Sequence, residues 1–163
     1  MHTVLGAPVP IRRPLPGPSG QPLDRCHWTD FPVMHDTRGN LTVIEGSRQV
    51  PFEIKRMYFL YDIPSQAARG GHAHRALTQV FIAMSGSFDL HLDDGTGQRT
   101  IHLSRANRGY LVRPWIWRTL DNFSGNSVCL VITDQFYDEA DYIRDHDDFR
   151  RLVHAHPVAA SRP

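Results

Sequence analysis

Between Ser87 and Leu103 the chain alternates twice about a single turn. Phe88, Leu90 and Leu92 are separated by Asp89 and His91; Asp93-Asp94-Gly95-Thr96-Gly97 follows, and Arg99 to Leu103 alternates again. Successive residues of a strand point to opposite faces, so each run has one apolar and one polar face. An acidic, glycine-rich turn between two such runs closes a β-hairpin. A lone hairpin is marginal in water, so its apolar face demands further strands. The chain supplies them. Leu41-Thr42-Val43-Ile44 follows an Arg38-Gly39-Asn40 turn, and Ile54 to Tyr61 is rich in aromatic and β-branched residues. Val80 to Met84, Tyr110-Leu111-Val112 and the near-continuous apolar run Val128 to Thr133 complete the set. Many short strands joined by such turns specify an all-β sandwich or small barrel.

A chain of 163 residues makes one domain with a core that needs no disulfides. Cys26 and Cys129 are too few and too far apart for a disulfide framework or a zinc site, and Cys129 reads as a buried, inert thiol. From Glu139 onward Tyr142, Ile143, Phe149, Leu152 and Val153 recur near a 3.6-residue period, which predicts a short C-terminal helix with Asp138 as its N-cap. Residues 1–23 carry six prolines and few large apolar side chains. They read as an extended arm ahead of a domain spanning 24–153, with 154–163 as a frayed tail. A net charge of +1 gives nucleic acid no electrostatic foothold. No apolar run approaches the roughly 20 residues of a membrane span, and the start lacks the apolar stretch of a secretory signal. The expectation is a cytoplasmic protein with neither nucleic acid nor membrane as partner.

The chemistry concentrates in Arg69-Gly70-Gly71-His72-Ala73-His74, followed by Gln79 and Gly86. If this stretch is extended, His72 and His74 project from one face. Paired imidazoles on an inner barrel wall serve a metal, proton transfer, or a hydrogen-bonded core. The spacing resembles the first motif of the cupins, which usually has Glu where Gln79 stands. Gly109 through Pro114 to Asn122 resembles the second, with Arg118 where a histidine usually sits. That resemblance implies a jelly-roll barrel. A transition-metal cupin needs about three histidines and a carboxylate. Gln79 is a weak neutral donor and Arg118 a permanent cation, so no metal site is expected. His35, His91 and His102 could in principle complete a site, but His91 and His102 fall at outward-reading strand positions and read as surface histidines.

Nearby residues have the character a phosphorylated sugar requires. Lys55, Arg56, Tyr58 and Tyr61 lie in one segment, with Arg56 and Tyr58 on the same face. Arg56 and Arg69 suit charge-assisted contacts to a diphosphate. Tyr58 suits a hydrogen bond to a sugar hydroxyl or a proton relay. Arg113, Trp115, Trp117 and Arg118 form an aromatic–cationic cluster suited to a stacked base. Core-lining or solvent-facing roles remain open for each of these taken singly.

Three further segments join these: Asp36-Thr37-Arg38-Gly39, Leu92-Asp93-Asp94-Gly95 and Tyr137-Asp138-Glu139-Ala140-Asp141-Tyr142-Ile143-Arg144. With Val50 to Tyr58 and Arg69 to His74, they resemble the sugar-nucleotide 3,4-ketoisomerases from about residue 30 to 153. The resemblance implies an all-β, cupin-type jelly roll with a short C-terminal helix and an extended N-terminal arm. It implies a homodimer with exchanged N-terminal strands and no metal or other cofactor. The implied substrate is a nucleotide-linked keto-deoxysugar, dTDP-4-keto-6-deoxyglucose, whose ketone moves from C4 to C3 through an enediol in deoxy-aminosugar biosynthesis. His72, His74 and Tyr58 would be catalytic, and Arg56, Arg69, Lys55, Gln79, Arg118 and Trp117 would bind substrate. Arg118 departs from the usual histidine, and Gly71 stands where a bulky aromatic is common. Two other readings are a sugar-nucleotide epimerase on the same barrel and a non-catalytic sugar-nucleotide-binding cupin.

Overall fold

The computed structural model describes residues 23–155. The arm expected at 1–22 and the tail beyond 155 lie outside the described residues. Among the described residues no helix is long and apolar enough to cross a membrane.

Two five-stranded antiparallel sheets face each other. The first contains β1 (His27–Asp30), β9 (Arg108–Val112), β6 (Gln79–Ser85), β11 (Val128–Thr133) and β4 (Arg56–Leu60), in that spatial order. The second contains β12 (Tyr142–Ile143), β5 (Arg69–His74), β10 (Trp117–Asp121), β7 (Phe88–Asp93) and β8 (Gln98–Leu103). A separate two-stranded hairpin is made by β2 (Val33–Asp36) and β3 (Gly39–Thr42). This is the jelly-roll architecture that the strand pattern and motif spacing imply.

The opening hairpin is β7–β8, with Phe88 opposite Leu103 and Leu90 opposite Ile101. Its turn is fixed by Asp94, whose Oδ1 accepts hydrogen bonds from the amides of Thr96 (2.9 Å) and Gly97 (2.8 Å). The side chain thus supplies the turn bonds the backbone lacks. Phe88, Leu90, Leu92, Ile101, Leu103 and Leu120 from the second sheet meet Phe81, Ala83, Cys129 and Val131 from the first in the main core. Strand β6 is apolar on both faces because both are covered. Its Val80 and Ile82 pack outward against Phe31 and Val50. Cys26 and Cys129 are both buried and unpaired as thiols.

Two expectations need correction. The strand expected at Leu41–Ile44 is β3, Gly39–Thr42, and it lies exposed in the small hairpin. The C-terminal helix does not begin near Glu139. Asp138 caps only a short 3-10 turn, Glu139–Asp141, by accepting from the Ala140 amide. Tyr142 and Ile143 are then drawn into β12, pairing with His74 and Ala73 on the edge of β5. The helix α1 spans His146–Ala155 and so includes His154 and Ala155 of the segment expected as a tail. Edge pairing supplies backbone hydrogen bonds that a helix continuing through Tyr142 would have to forgo on β5. On α1, Phe149 and Val153 pack with Ala73, Trp115 and Ile143 over the outer face of the second sheet.

Candidate active site

The two faces of β5 are sorted by what covers them. Ala73 is fully buried under α1, so His72 and His74 turn the other way, into the barrel. The strand is bent by a bulge at its glycines. Arg118 of β10 stands opposite His72 but Thr119 stands opposite Gly70, leaving Gly71 as the extra residue. Gly71 has φ +62° and Gly70 φ +90°, where a side chain would be strained; a Cβ at Gly70 would also come within 3.0 Å of the Arg118 carbonyl. The extra residue sets Arg69 opposite Leu120, a core residue, and so moves Arg69 to the barrel-side register at the exposed start of the strand.

His72 and His74 lie edge to face, their ring centroids 5.0 Å apart. Tyr142 covers both, at 4.8 Å from His72 and 4.3 Å from His74. Arg118, directly across from His72, is 2% exposed. Its guanidinium donates to the His72 carbonyl (2.9 Å) and to His72 Nε2 (2.6 Å). Arginine can only donate, so His72 Nε2 accepts and the ring proton sits on Nδ1, 2.9 Å from the Gly70 carbonyl oxygen. Burial, reinforced by the Arg118 charge, pushes His72 down to about 3. His72 is therefore neutral near pH 7. Burial also lowers Arg118 itself, to about 10, against the opposing pull of Tyr58, Tyr142 and Asp141, so it remains a cation.

On the other side stands an anion. His74 Nδ1 lies 2.8 Å from Asp141 Oδ2. Burial drives His74 down to about 4 even though the bond to Asp141 works to raise it. Its Nε2 is buried without a hydrogen-bond partner. The backbone holds this residue from both directions: the Trp115 amide donates to the His74 carbonyl at 2.7 Å, and the Arg75 amide donates to that of Asp141 at 2.9 Å.

The first sheet contributes the opposite wall. Arg56, Tyr58 and Leu60 share the inward face of β4, while Met57 and Phe59 face out and are exposed. The Gln79 amide, itself buried, donates to the Tyr58 hydroxyl at 2.9 Å. The Arg56 guanidinium lies over the rings of Tyr58 (5.4 Å) and Tyr137 (5.6 Å). Burial raises the Tyr58 phenol, with Arg118 and Arg56 opposing, so it stays a protonated donor.

The structure thus brings together Arg56, Tyr58, His72, His74, Gln79 and Arg118. Two expected members are misplaced. Lys55 is exposed on the outer parity of its segment and pairs with Glu53 at 2.7 Å. Trp117 neighbours Arg118 in β10 and so faces the other side of the sheet, packed against His146 and Phe149. Asp141 and Tyr142 belong to the site without having been singled out as site residues, although their segment was conspicuous. Among the described residues no three His, Cys, Asp or Glu side chains converge as a metal-binding group.

Residues 24–154 match the family model FdtA, described as WxcM-like, C-terminal. The chain belongs to this family. It is 38% identical over 124 residues to the TDP-4-oxo-6-deoxy-alpha-D-glucose-3,4-oxoisomerase of Aneurinibacillus thermoaerophilus, covering 76% of this chain and 89% of that relative. A 3,4-ketoisomerase from Helicobacter canadensis superposes with TM-score 0.77 at 41% identity, over 79% of this chain and 97% of that one. A histidine-to-asparagine variant of the QdtA 3,4-ketoisomerase from Thermoanaerobacterium thermosaccharolyticum, in complex with TDP-4-keto-6-deoxyglucose, gives TM-score 0.78 at 32% identity, over 80% and 94%. The match to the FdtA family therefore takes in every strand of both sheets and nearly all of α1.

Proposed function

We propose that this chain is a 3,4-ketoisomerase of a TDP-linked 4-keto-6-deoxyhexose, with His72 and His74 as its proton carriers. The observation that carries this reading is the pair of neutral imidazoles 5.0 Å apart on the inward face of β5, between a buried cation, Arg118, and a carboxylate, Asp141. The names of the FdtA-family relatives support the substrate class. In the substrate the C4 carbonyl acidifies the C3–H bond. One imidazole takes the C3 proton while the C4 oxygen gains one, giving the enediol. Loss of the O3 proton and delivery of a proton to C4 then leave the ketone at C3. Both rings are neutral near pH 7, the form in which an imidazole can take a proton from the sugar and pass it on. Negative charge that develops on the C4 and C3 oxygens while the protons are in transit is met by Arg118 and the Tyr58 hydroxyl. Arg56 and Arg69 bind the diphosphate.

NMR of TDP-4-keto-6-deoxyglucose incubated with the protein in D₂O tests this directly. Deuterium is expected at C4 of a 3-keto product, and His72→Asn and His74→Asn are each expected to remove turnover with the fold intact. The variant that also loses C3–H exchange identifies the base. Product formed by a protein lacking both histidines would sink the mechanism.

The active form is proposed to be a homodimer with exchanged N-terminal strands. The β2–β3 hairpin stands apart from both sheets and exposes Val33, Met34 and Leu41. The edge strand β4 exposes Met57 and Phe59, with Tyr61 just beyond. An unpaired edge strand bearing apolar side chains is a natural site for pairing. Light scattering on the purified chain is expected to give twice the monomer mass.

A further inference from the structure

The carboxylate of Asp141 is held more tightly than a surface acid needs to be. Oδ1 accepts from the Ala76 amide at 2.7 Å while Oδ2 faces His74 Nδ1 at 2.8 Å. Its main chain ends the 3-10 turn capped by Asp138, and the next residue, Tyr142, pairs with His74 in the β12–β5 ladder. The side chain is only 11% exposed. Burial works to raise its pKa, yet the hydrogen bond and charge of His74 and the Ala76 amide outweigh this and hold it below the ordinary value. A carboxylate in that state only accepts. His74 Nδ1 must then carry the ring proton, and Nε2 of the neutral ring is left as a bare lone pair. That same Nε2 is the buried atom without a partner.

We propose that Asp141 is the positioning residue of the proton-transfer pair, locking His74 in the Nδ1–H tautomer so that Nε2 stands open as a proton acceptor toward the barrel interior. This rests on the ketoisomerase reading and deepens it. When Nε2 takes a proton the ring becomes an imidazolium, and the carboxylate already in contact with Nδ1–H stabilises it. Arg118 cannot serve His74 in this way. A guanidinium beside His72 fixes the same tautomer there by occupying the opposite nitrogen. The two rings thus carry matching tautomers imposed by opposite charges, and only His74 keeps its acceptor nitrogen unoccupied.

The test is Asp141→Asn, read first in the resting protein. An asparagine whose oxygen keeps the Ala76 amide presents its NH₂ to His74 Nδ1, which must then accept. Nitrogen-15 NMR is expected to report Nδ1–H for His74 in the native protein and Nε2–H in the variant. With TDP-4-keto-6-deoxyglucose, kcat is expected to fall about 100-fold or more, with KM within about threefold. Asp141→Glu, which keeps a carboxylate, is expected to recover part of kcat and the native tautomer. An unchanged His74 tautomer in Asp141→Asn overturns the proposal, whether or not activity falls. So does a shifted tautomer with kcat within twofold of native. Because the NMR readout needs no turnover, a native protein without isomerase activity would count against the ketoisomerase reading and leave the tautomer assignment standing.

Discussion

The barrel interior has two ends built from the same strands and made of opposite materials. Along the first sheet, one layer sets Gln79 beside Thr133 and Thr133 beside Arg56; the next sets Phe81, Val131 and Tyr58; the third is Ala83, Cys129 and Leu60. Across from these, β10 passes from Arg118 to Leu120 and β7 from Leu92 to Leu90 and Phe88. The apolar end is packed with Phe88 at 0%, Leu90 at 0% and Phe123 at 2% exposure, the Phe88 and Phe123 rings stacked 5.4 Å apart. The polar end buries a guanidinium and leaves Arg56 Nε and His74 Nε2 without partners. A buried unpartnered nitrogen or an isolated charge opposes folding. The apolar end therefore stabilises the fold, and the polar end draws on that stability to hold its chemistry ready.

Mutation should separate the two ends. The largest effect on folding belongs to Leu90→Ala, which empties space between Ile101 and Leu120, its two ladder partners. Loss of about 2 to 5 kcal/mol is expected in urea unfolding, with kcat per folded molecule nearly unchanged. Acid should strike the other end. His72 and His74 have folded pKa values near 3 and 4 against the ordinary 6.5. The unfolded chain takes up these protons as pH falls through about 6.5 while the folded chain refuses them until near 4. Stability is thus fully present above pH 6.5 and declines from there toward pH 4. A His72→Asn/His74→Asn double variant should show a shallower decline over that window by calorimetry. If it declines as steeply as the native protein, the acid sensitivity lies elsewhere.

A smaller loss of stability, joined to a loss of activity, is expected at the boundary layer. Tyr58→Phe keeps the ring in its place between the two ends and removes only the hydroxyl. The Gln79 amide would be left buried without its acceptor, at a cost of about 1 to 3 kcal/mol. A donor to the developing enediol oxygen would also be lost, lowering kcat roughly 100-fold if the hydroxyl acts as proposed. A variant with normal kcat but reduced stability would confine Tyr58 to holding Gln79.

The apolar end was the more legible in sequence, because alternation records what a strand buries. Phe88–Leu103 read correctly for that reason, and Val128–Thr133 because an unbroken apolar run marks a strand covered on both faces. Strand β10 did not, since its inward positions are Arg118 and Leu120; a buried arginine looks like a solvent-facing residue to any hydropathy pattern. The same strand explains Trp117. Once Trp117–Asp121 is extended, Trp117 and Arg118 cannot share a face. Asp141 was hidden differently. It lies 67 residues from His74, within a segment whose 3.6-residue pattern suggests helix, and only the pairing of β12 with β5 makes them neighbours. The histidine pair, Arg56 and Tyr58 were legible because each pair lies two residues apart on one strand.

The smallest effect is expected at Lys55, and its smallness is informative. Lys55 directly precedes Arg56, and by residue type alone it is as good a phosphate ligand. Strand parity turns it outward, where its ammonium meets Glu53 with side chains 35% and 75% exposed. Exposed pairs of this kind contribute about 0 to 1 kcal/mol. Lys55→Ala should therefore leave stability within about 0.5 kcal/mol, with kcat and KM near native, whereas Arg56→Ala should raise KM for the TDP-sugar markedly. Equal losses in the two variants would mean that Lys55 reaches the diphosphate, as it would if the outer face of β4 contributes to a site shared between subunits. Parity within one strand would then not decide which cations bind substrate, and the outer face of β4 would have to be counted as part of the polar end.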